Sequence, residues 1–201
     1  SENIPAILNA WYGGQSAGTA VADVLFGDYN PAGRLPVTFY KSDSDLPSFE
    51  SYEMTGRTYR YFNGEALYPF GYGLSYTTFN YSGMKLPVTL AKNKKLAVNV
   101  MVKNTGARTG EEVVQLYIAH DYIKSRTPFK ALKGFQRVVL KAGQSKLITF
   151  ILTPEQLSLV NEDNGKLYQP NDKITISVGG GQPGVKNKTT SNVVSKSLVI
   201  R

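Results

Sequence analysis

Glu53 and Glu65 are the carboxylates of this chain best placed for acid chemistry. Both lie in a stretch dense in rings: Tyr52, Tyr59, Tyr61, Phe62, Tyr68, Phe70, Tyr72 and Tyr76. A carboxyl packed among apolar rings loses hydration, so its pKa rises and it can donate a proton near neutral pH. The competing arrangement leaves both solvated or paired with Arg57 and Arg60, the commoner fate of loop carboxylates. Asp23 falls in a helical pattern, Asp43 and Asp45 in a polar loop, and Glu50 has no better setting. Other nucleophilic chemistry lacks residues: there is no Cys, no G-x-S-x-G, and His120 is the single histidine. Without cysteine, one histidine gives no ligand set for structural zinc, and no metal or organic cofactor is expected.

These groups must be positioned by one or two small domains, which is what 201 residues with 41% hydrophobic content allow. No apolar run reaches the ~18–20 residues of a membrane helix, and no signal-peptide pattern is visible. The net charge of +8 is uneven. Residues 1–80 hold four Lys/Arg against eight Asp/Glu, and residues 81–201 hold nineteen against seven. An excess of this kind invites a nucleic-acid or anionic-polymer reading. The cations are scattered along strands and turns, however, where lysine also keeps sheet edges from aggregating. No nucleic-acid or membrane partner is expected.

Along the chain, Ile4 to Leu8 reads as a buried parallel strand. Gly13-Gly14 breaks the chain, and Ala17, Ala20, Val21, Val24 and Leu25 then form one helical stripe that stops at Gly27. Asn30-Pro31-Ala32-Gly33 is a turn, and Arg34 to Phe39 suits a second strand. Residues 41–76 lose regular periodicity and form an aromatic, Gly- and Pro-rich connector. From Thr77 the period becomes two. Leu96, Val98, Val100 and Val102 alternate with Ala97, Asn99, Met101 and Lys103, and Val114, Leu116 and Ile118 with Val113, Gln115 and Tyr117; Ile148, Phe150 and Leu152, then Ile174, Ile176 and Val178, repeat the period. Turn signals separate these runs, and Asn164-Gly165 suits a hairpin. About seven short strands in this register predict an immunoglobulin-like sandwich. The stretch 179–197 reads as a mobile loop before a last strand at Leu198–Ile200. The fold class is therefore mixed: a partial α/β segment and connector over 1–76, then an all-β sandwich over 77–201.

Two long motifs carry a family resemblance. WYGGQSAGTAVADVLFGDYNPAGRLPVTF (11–39) looks like the end of the α/β-sandwich domain of glycoside hydrolase family 3, the retaining β-glucosidases and β-xylosidases. GRTYRYFNGEALYPFGYGLSYTTFNYS (56–82) resembles the connector that follows it. EEVVQLYIA, LKGFQRVVLKAGQSKLITFILTPEQL and ITISVGGGQPG are similar to the family's fibronectin type III-like domain. GRTYRYF and VGGGQPG lean toward the β-xylosidase-type subgroup.

The resemblance implies a retaining mechanism with two carboxyl groups about 5–5.5 Å apart, one a nucleophile and one an acid/base. In the family both lie in segments with no counterpart here, so this chain is expected to be a catalytically incomplete carboxy-terminal part. No catalytic residue is assigned within it. Arg57, Tyr59, Arg60 and Tyr61 are the candidate substrate contacts, since arginines bind sugar hydroxyls and tyrosines offer stacking faces. Trp11 and Gln15 are weaker candidates, and an interface-packing role competes for all of them. Expected partners are an oligosaccharide in the complete enzyme and an upstream catalytic polypeptide or a second copy, because a strand–helix–strand piece has too few neighbours to cover it. A periplasmic or secreted location is what the family favours, and the Asn80 and Asn187 sequons permit glycosylation only in a secretory eukaryotic host. The alternative function is a non-catalytic module that binds an acidic polysaccharide or serves as scaffold.

Overall fold

Period-two alternation becomes strand wherever it occurs in the second half of the chain. The computed structural model describes residues 3–121 and 127–201. Its strands are β1 (Phe79–Lys85), β2 (Thr89–Leu90), β3 (Leu96–Asn104), β4 (Gly110–His120), β5 (Ala131–Leu140), β6 (Ser145–Leu152), β7 (Leu159–Val160), β8 (Leu167–Tyr168), β9 (Asp172–Gly179) and β10 (Val193–Ile200). Two sheets face each other, β1-β3-β6 against β2-β10-β9-β4-β5, and β7-β8 form a separate hairpin. Val98, Val100 and Val102 of β3, Val114 and Leu116 of β4, and Ile174, Ile176 and Val178 of β9 are all fully buried between them. Each such aliphatic side chain contributes about 1.5–3 kcal/mol through burial, which is why these strands hold the architecture. The Asn164-Gly165 hairpin forms, with residues 161–166 as its loop and Gly165 left-handed at φ 67°.

The stretch 179–197 is shorter as a loop than expected. β10 already starts at Val193 and pairs with β9 from Gly179 onward. In the first half of β10 the inward alternation of Val194, Leu198 and Ile200 is interrupted by exposed Lys196. The outer face of the strand is a ladder of hydroxyls, Ser195 against Ser177 at 2.8 Å and Ser197 against Thr175 at 3.0 Å.

Ahead of the sandwich the helix is present and the two strands are not. Helix α1 spans Ala17–Phe26 and ends where left-handed Gly27 (φ 87°) donates to the carbonyls of Asp23 and Val24. Ile4 to Leu8 forms no strand, and Ile4 and Ile7 are each 57% exposed. Residues 34–39 are extended and run antiparallel to 67–72, but only Phe39–Tyr68 qualifies as a bridge. A strand takes its hydrogen bonds from neighbours, and the described residues offer none to Ile4–Leu8. For the same reason the stripe of α1 is only half covered: Val21 and Val24 are partly buried while Ala20 and Leu25 stay exposed.

What ties this segment to the sandwich is charge. Arg34 Nη2 donates to Glu112 Oε2 at 2.6 Å, with the two side chains 6% and 0% exposed, and Arg34 Nε donates to the Gly180 carbonyl at 3.1 Å. Tyr81 donates its hydroxyl to the other Glu112 oxygen at 2.8 Å. Asn30 adds a second tie, donating to Thr109 O and accepting from Ser75 and the Tyr76 N–H. Removing one member of a buried pair strands the other charge. Arg34→Met is expected to cost about 3–5 kcal/mol, read by urea unfolding followed through the fluorescence of Trp11. A loss under about 1 kcal/mol, the value of a surface pair, would show that Glu112 is not held by this contact.

Candidate functional site

The connector folds back over the outer face of β4, and this determines the position of every candidate side chain. Gln115 and Tyr117 point away from the core yet are 3% and 1% exposed. Gln115 donates to the carbonyls of Gly71 and Gly180 and accepts from the Tyr117 hydroxyl at 2.6 Å. Burial pushes the Tyr117 phenol well above its ordinary value, so it remains a hydrogen-bond donor. Gly71 is left-handed at φ 76°, and a Cβ there would collide with the Gln115 amide oxygen, so only glycine lets the connector approach this closely.

Helix α2 (Thr58–Tyr61) carries three of the candidate contacts, and Arg57 caps it. Tyr59 stacks on Phe70 at 4.2 Å between centroids, meets Tyr117 edge-on at 6.0 Å, and its hydroxyl accepts the Leu132 N–H at 3.0 Å. Arg57 donates to the carbonyls of Ser48, Ser51 and Glu53, closing the preceding loop. Arg60 and Tyr61 are different. They line a cleft of about 660 Å³ together with His120, Ala131, Lys133 and residues of the β7-β8 hairpin. Arg60 lies over the Tyr61 ring at 5.7 Å. Trp11 is half exposed and packs at 6.5 Å from Phe39, outside this cleft. Gln15 is exposed ahead of α1 and takes no part in it.

Comparison with known proteins bears on this arrangement directly. Residues 1–76 match the glycosyl hydrolase family 3 C-terminal domain, and residues 112–182 match the fibronectin type III-like domain. The chain is 46% identical over 179 residues to a xylan 1,4-beta-xylosidase of Xylanibacter ruminicola, covering 89% of this chain and 20% of that protein. A β-glucosidase structure from Erythrobacter marinus superposes with a TM-score of 0.82 at 39% identity, over 100% of this chain and 26% of that one. A β-glucosidase from Listeria innocua in complex with glucose gives 0.77 at 31% identity, over 94% and 27%. The chain carries a glycosyl hydrolase family 3 C-terminal domain followed by a fibronectin type III-like domain. It spans about a quarter of the length of the relatives it matches.

The family 3 motifs are now explained by contacts. N-P-A-G-R supplies Asn30 and Arg34, G-Y-G supplies the close approach at Gly71 and Gly73, and G-G-G supplies Gly180, where any Cβ would overlap Glu112 and Ser191. Neither expected acid candidate is buried among the aromatic rings; both are exposed. Glu65 is bound by Lys41 at 2.9 Å and lies 3.8 Å from Lys186, so its partners are lysines and not Arg57 or Arg60. The Lys41 hydrogen bond holds its pKa below the usual value, the wrong direction for a proton donor. Glu53 is exposed at the cleft rim and engages Arg57 only through its backbone carbonyl.

Sequence reasoning missed Glu112, His120 and Lys133. A signal for the first two was available. Glu112 and His120 share the parity of Val114, Leu116 and Ile118, so both had to face inward and require partners. His120 Nδ1 lies 2.7 Å from Asp172 Oδ2 in a buried pair, and burial pulls the imidazole pKa down against the pull of that carboxylate.

Two measurements check these assignments. Tyr59→Phe is expected to lose about 1 kcal/mol with the Leu132 hydrogen bond, and Tyr59→Ala roughly 3 kcal/mol with the ring. Equal losses would mean that the stacking contributes little. A carboxyl NMR titration should place Glu65 below the ordinary glutamate range, with Lys41→Met moving it back up. A midpoint above that range would restore Glu65 as an acid candidate.

Proposed function

We propose that this chain is the carboxy-terminal part of a retaining, exo-acting β-glycosidase that removes terminal β-linked xylose or glucose, with nucleophile and acid/base in upstream sequence. The observation that supports this most is a family 3 C-terminal domain match followed by a fibronectin type III-like match along one chain that is 46% identical over 179 residues to a xylan 1,4-beta-xylosidase. The carboxylates agree with the reading. Glu112 is locked to Arg34 and Tyr81, Glu65 is tied to Lys41, and the cleft residue Glu155 is held low by Thr153 and its own backbone N–H. A retaining pair needs one free nucleophile facing a carboxyl of raised pKa.

In this reading residues 1–76 and 77–201 are the two structural units. Of the four candidate contacts, Arg60 and Tyr61 touch saccharide while Arg57 and Tyr59 hold the connector in place. Their side chains divide that way: two line the open cleft, and two are occupied by the protein's own groups. The exposed Ile4, Ile7, Leu8 and Leu25 are where an upstream polypeptide or a second copy would pack.

The test is turnover of aryl β-xyloside, β-glucoside and arabinoside by the purified 201-residue chain. No hydrolysis above buffer is expected. Hydrolysis by a preparation containing only this chain would place the catalytic pair inside it and overturn the assignment.

A further inference from the structure

The cleft beside Arg60 contains two cations that no carboxylate among the described residues pairs with. Its volume of about 660 Å³ lies within the ~300–1,000 Å³ range of small-molecule sites. Tyr52, Arg60, Tyr61, His120, Lys133 and Tyr168 all line it. Among the described residues, neither the Arg60 guanidinium nor the Lys133 ammonium has a carboxylate within salt-bridge distance. Lys133 is half-buried. Burial and then the charge of Arg60 push its pKa down, and Lys133 in turn opposes protonation of His120. Three basic groups thus share one electrostatic environment.

The acids nearby are more numerous than these two cations, but among the described residues none pairs with Arg60 or Lys133. Asp172 is taken by His120, and Asp121 by Lys173 at 3.6 Å and by Thr175. Glu53, Glu155 and Glu162 lie at exposed positions of the cleft lining; Glu155 is engaged by Thr153, and Glu162 has partners of its own. Like charges in a partly desolvated site repel more strongly than in water, and a bound anion converts that repulsion into attraction. Tyr61 and the fully exposed Tyr52 add ring faces beside those charges.

We propose that this cleft binds an oligosaccharide bearing a uronic acid, with the sugar carboxylate between Lys133 and Arg60 and a pyranose face against Tyr61 or Tyr52. This rests on the cleft being a saccharide site. A carboxylate suits the cationic pair because a planar guanidinium and an ammonium together satisfy both of its oxygens. A ring carrying hydroxyls suits the rest of the lining, which offers the rings of Tyr52, Tyr61 and Tyr168 together with the polar side chains of Ser158 and Asn161.

Calorimetric titration with a xylo-oligosaccharide carrying one glucuronic acid, and with its neutral counterpart, tests the proposal. The acidic sugar is expected to bind at least about tenfold more tightly. Lys133→Met and Arg60→Met should each abolish that preference, and Lys146→Met on the far sheet should not. Lys133→Gln, checked for an unchanged melting temperature, serves if the methionine variant does not fold. Equal affinity for both sugars would overturn the uronate assignment while leaving the cleft as a sugar site. Binding of neither sugar would overturn both readings. Equal loss from Lys146→Met would reduce the effect to diffuse charge. Competition by a glutamate-rich peptide at the same affinity would make the occupant an acidic protein segment and overturn the proposal.

Discussion

A carboxylate at the inward face of a β-sandwich is the constraint from which the rest of this structure follows. Glu112 occupies a position on β4 that the alternation assigns to the core, and it is fully buried there. Burial pushes its pKa up, opposed by Arg34, the Tyr81 hydroxyl and Ser191. Desolvating this pair costs several kcal/mol that its mutual attraction only partly offsets, so its contribution lies more in geometry than in net stability. An ionised Glu112 is tolerable only when residues 30–34 are docked, when Gly180 leaves room for the carboxylate, and when the chain before the sandwich has returned to deliver Arg34. Three stretches far apart in sequence are thereby brought to one point, and the connector between them lies over β4 as a result.

That dependence explains which parts of the fold were legible in the sequence. The strands of the sandwich were, because each carries its own alternation and finds its neighbours within the chain. Helix α1 was also legible, since its stripe and Gly27 are local signals. The strand expected at Ile4–Leu8 was not realised, because a strand needs a neighbour that the described residues do not provide; Arg34–Phe39 did find an antiparallel partner in 67–72, but its hydrogen bonds are spaced so that only one bridge forms. The start of β10 was missed for the opposite reason: it has a neighbour in β9, but Lys196 interrupts the inward apolar period of Val194, Leu198 and Ile200.

The site was legible in its residue types and less so in their roles. Arg57, Tyr59, Arg60 and Tyr61 are consecutive or nearly so, and no periodic signal separates those that face inward from those that face out. The separation comes from the docking of the connector on β4, a contact between residues more than seventy positions apart, as with Tyr59 and Leu132. Non-local docking leaves no trace in local spacing. Glu112 and His120, by contrast, could have been found by applying strand parity to charged residues as strictly as to apolar ones.

The excess of positive charge follows the same logic. A total of +8 says little about partners, because most lysines of the sandwich are solvated on strand faces and turns, where screening reduces each to a weak and unselective attraction. Position is what distinguishes the few that matter. Lys130 is half-buried but donates to the Pro183 carbonyl at 3.0 Å, so its desolvation is partly compensated. Lys133 is half-buried beside Arg60 without such a compensation, and an ammonium in that condition is a preformed half of an ion pair. The charge that selects a ligand is therefore the one that folding has partly removed from water and left without a partner, not the larger number that remains in solvent.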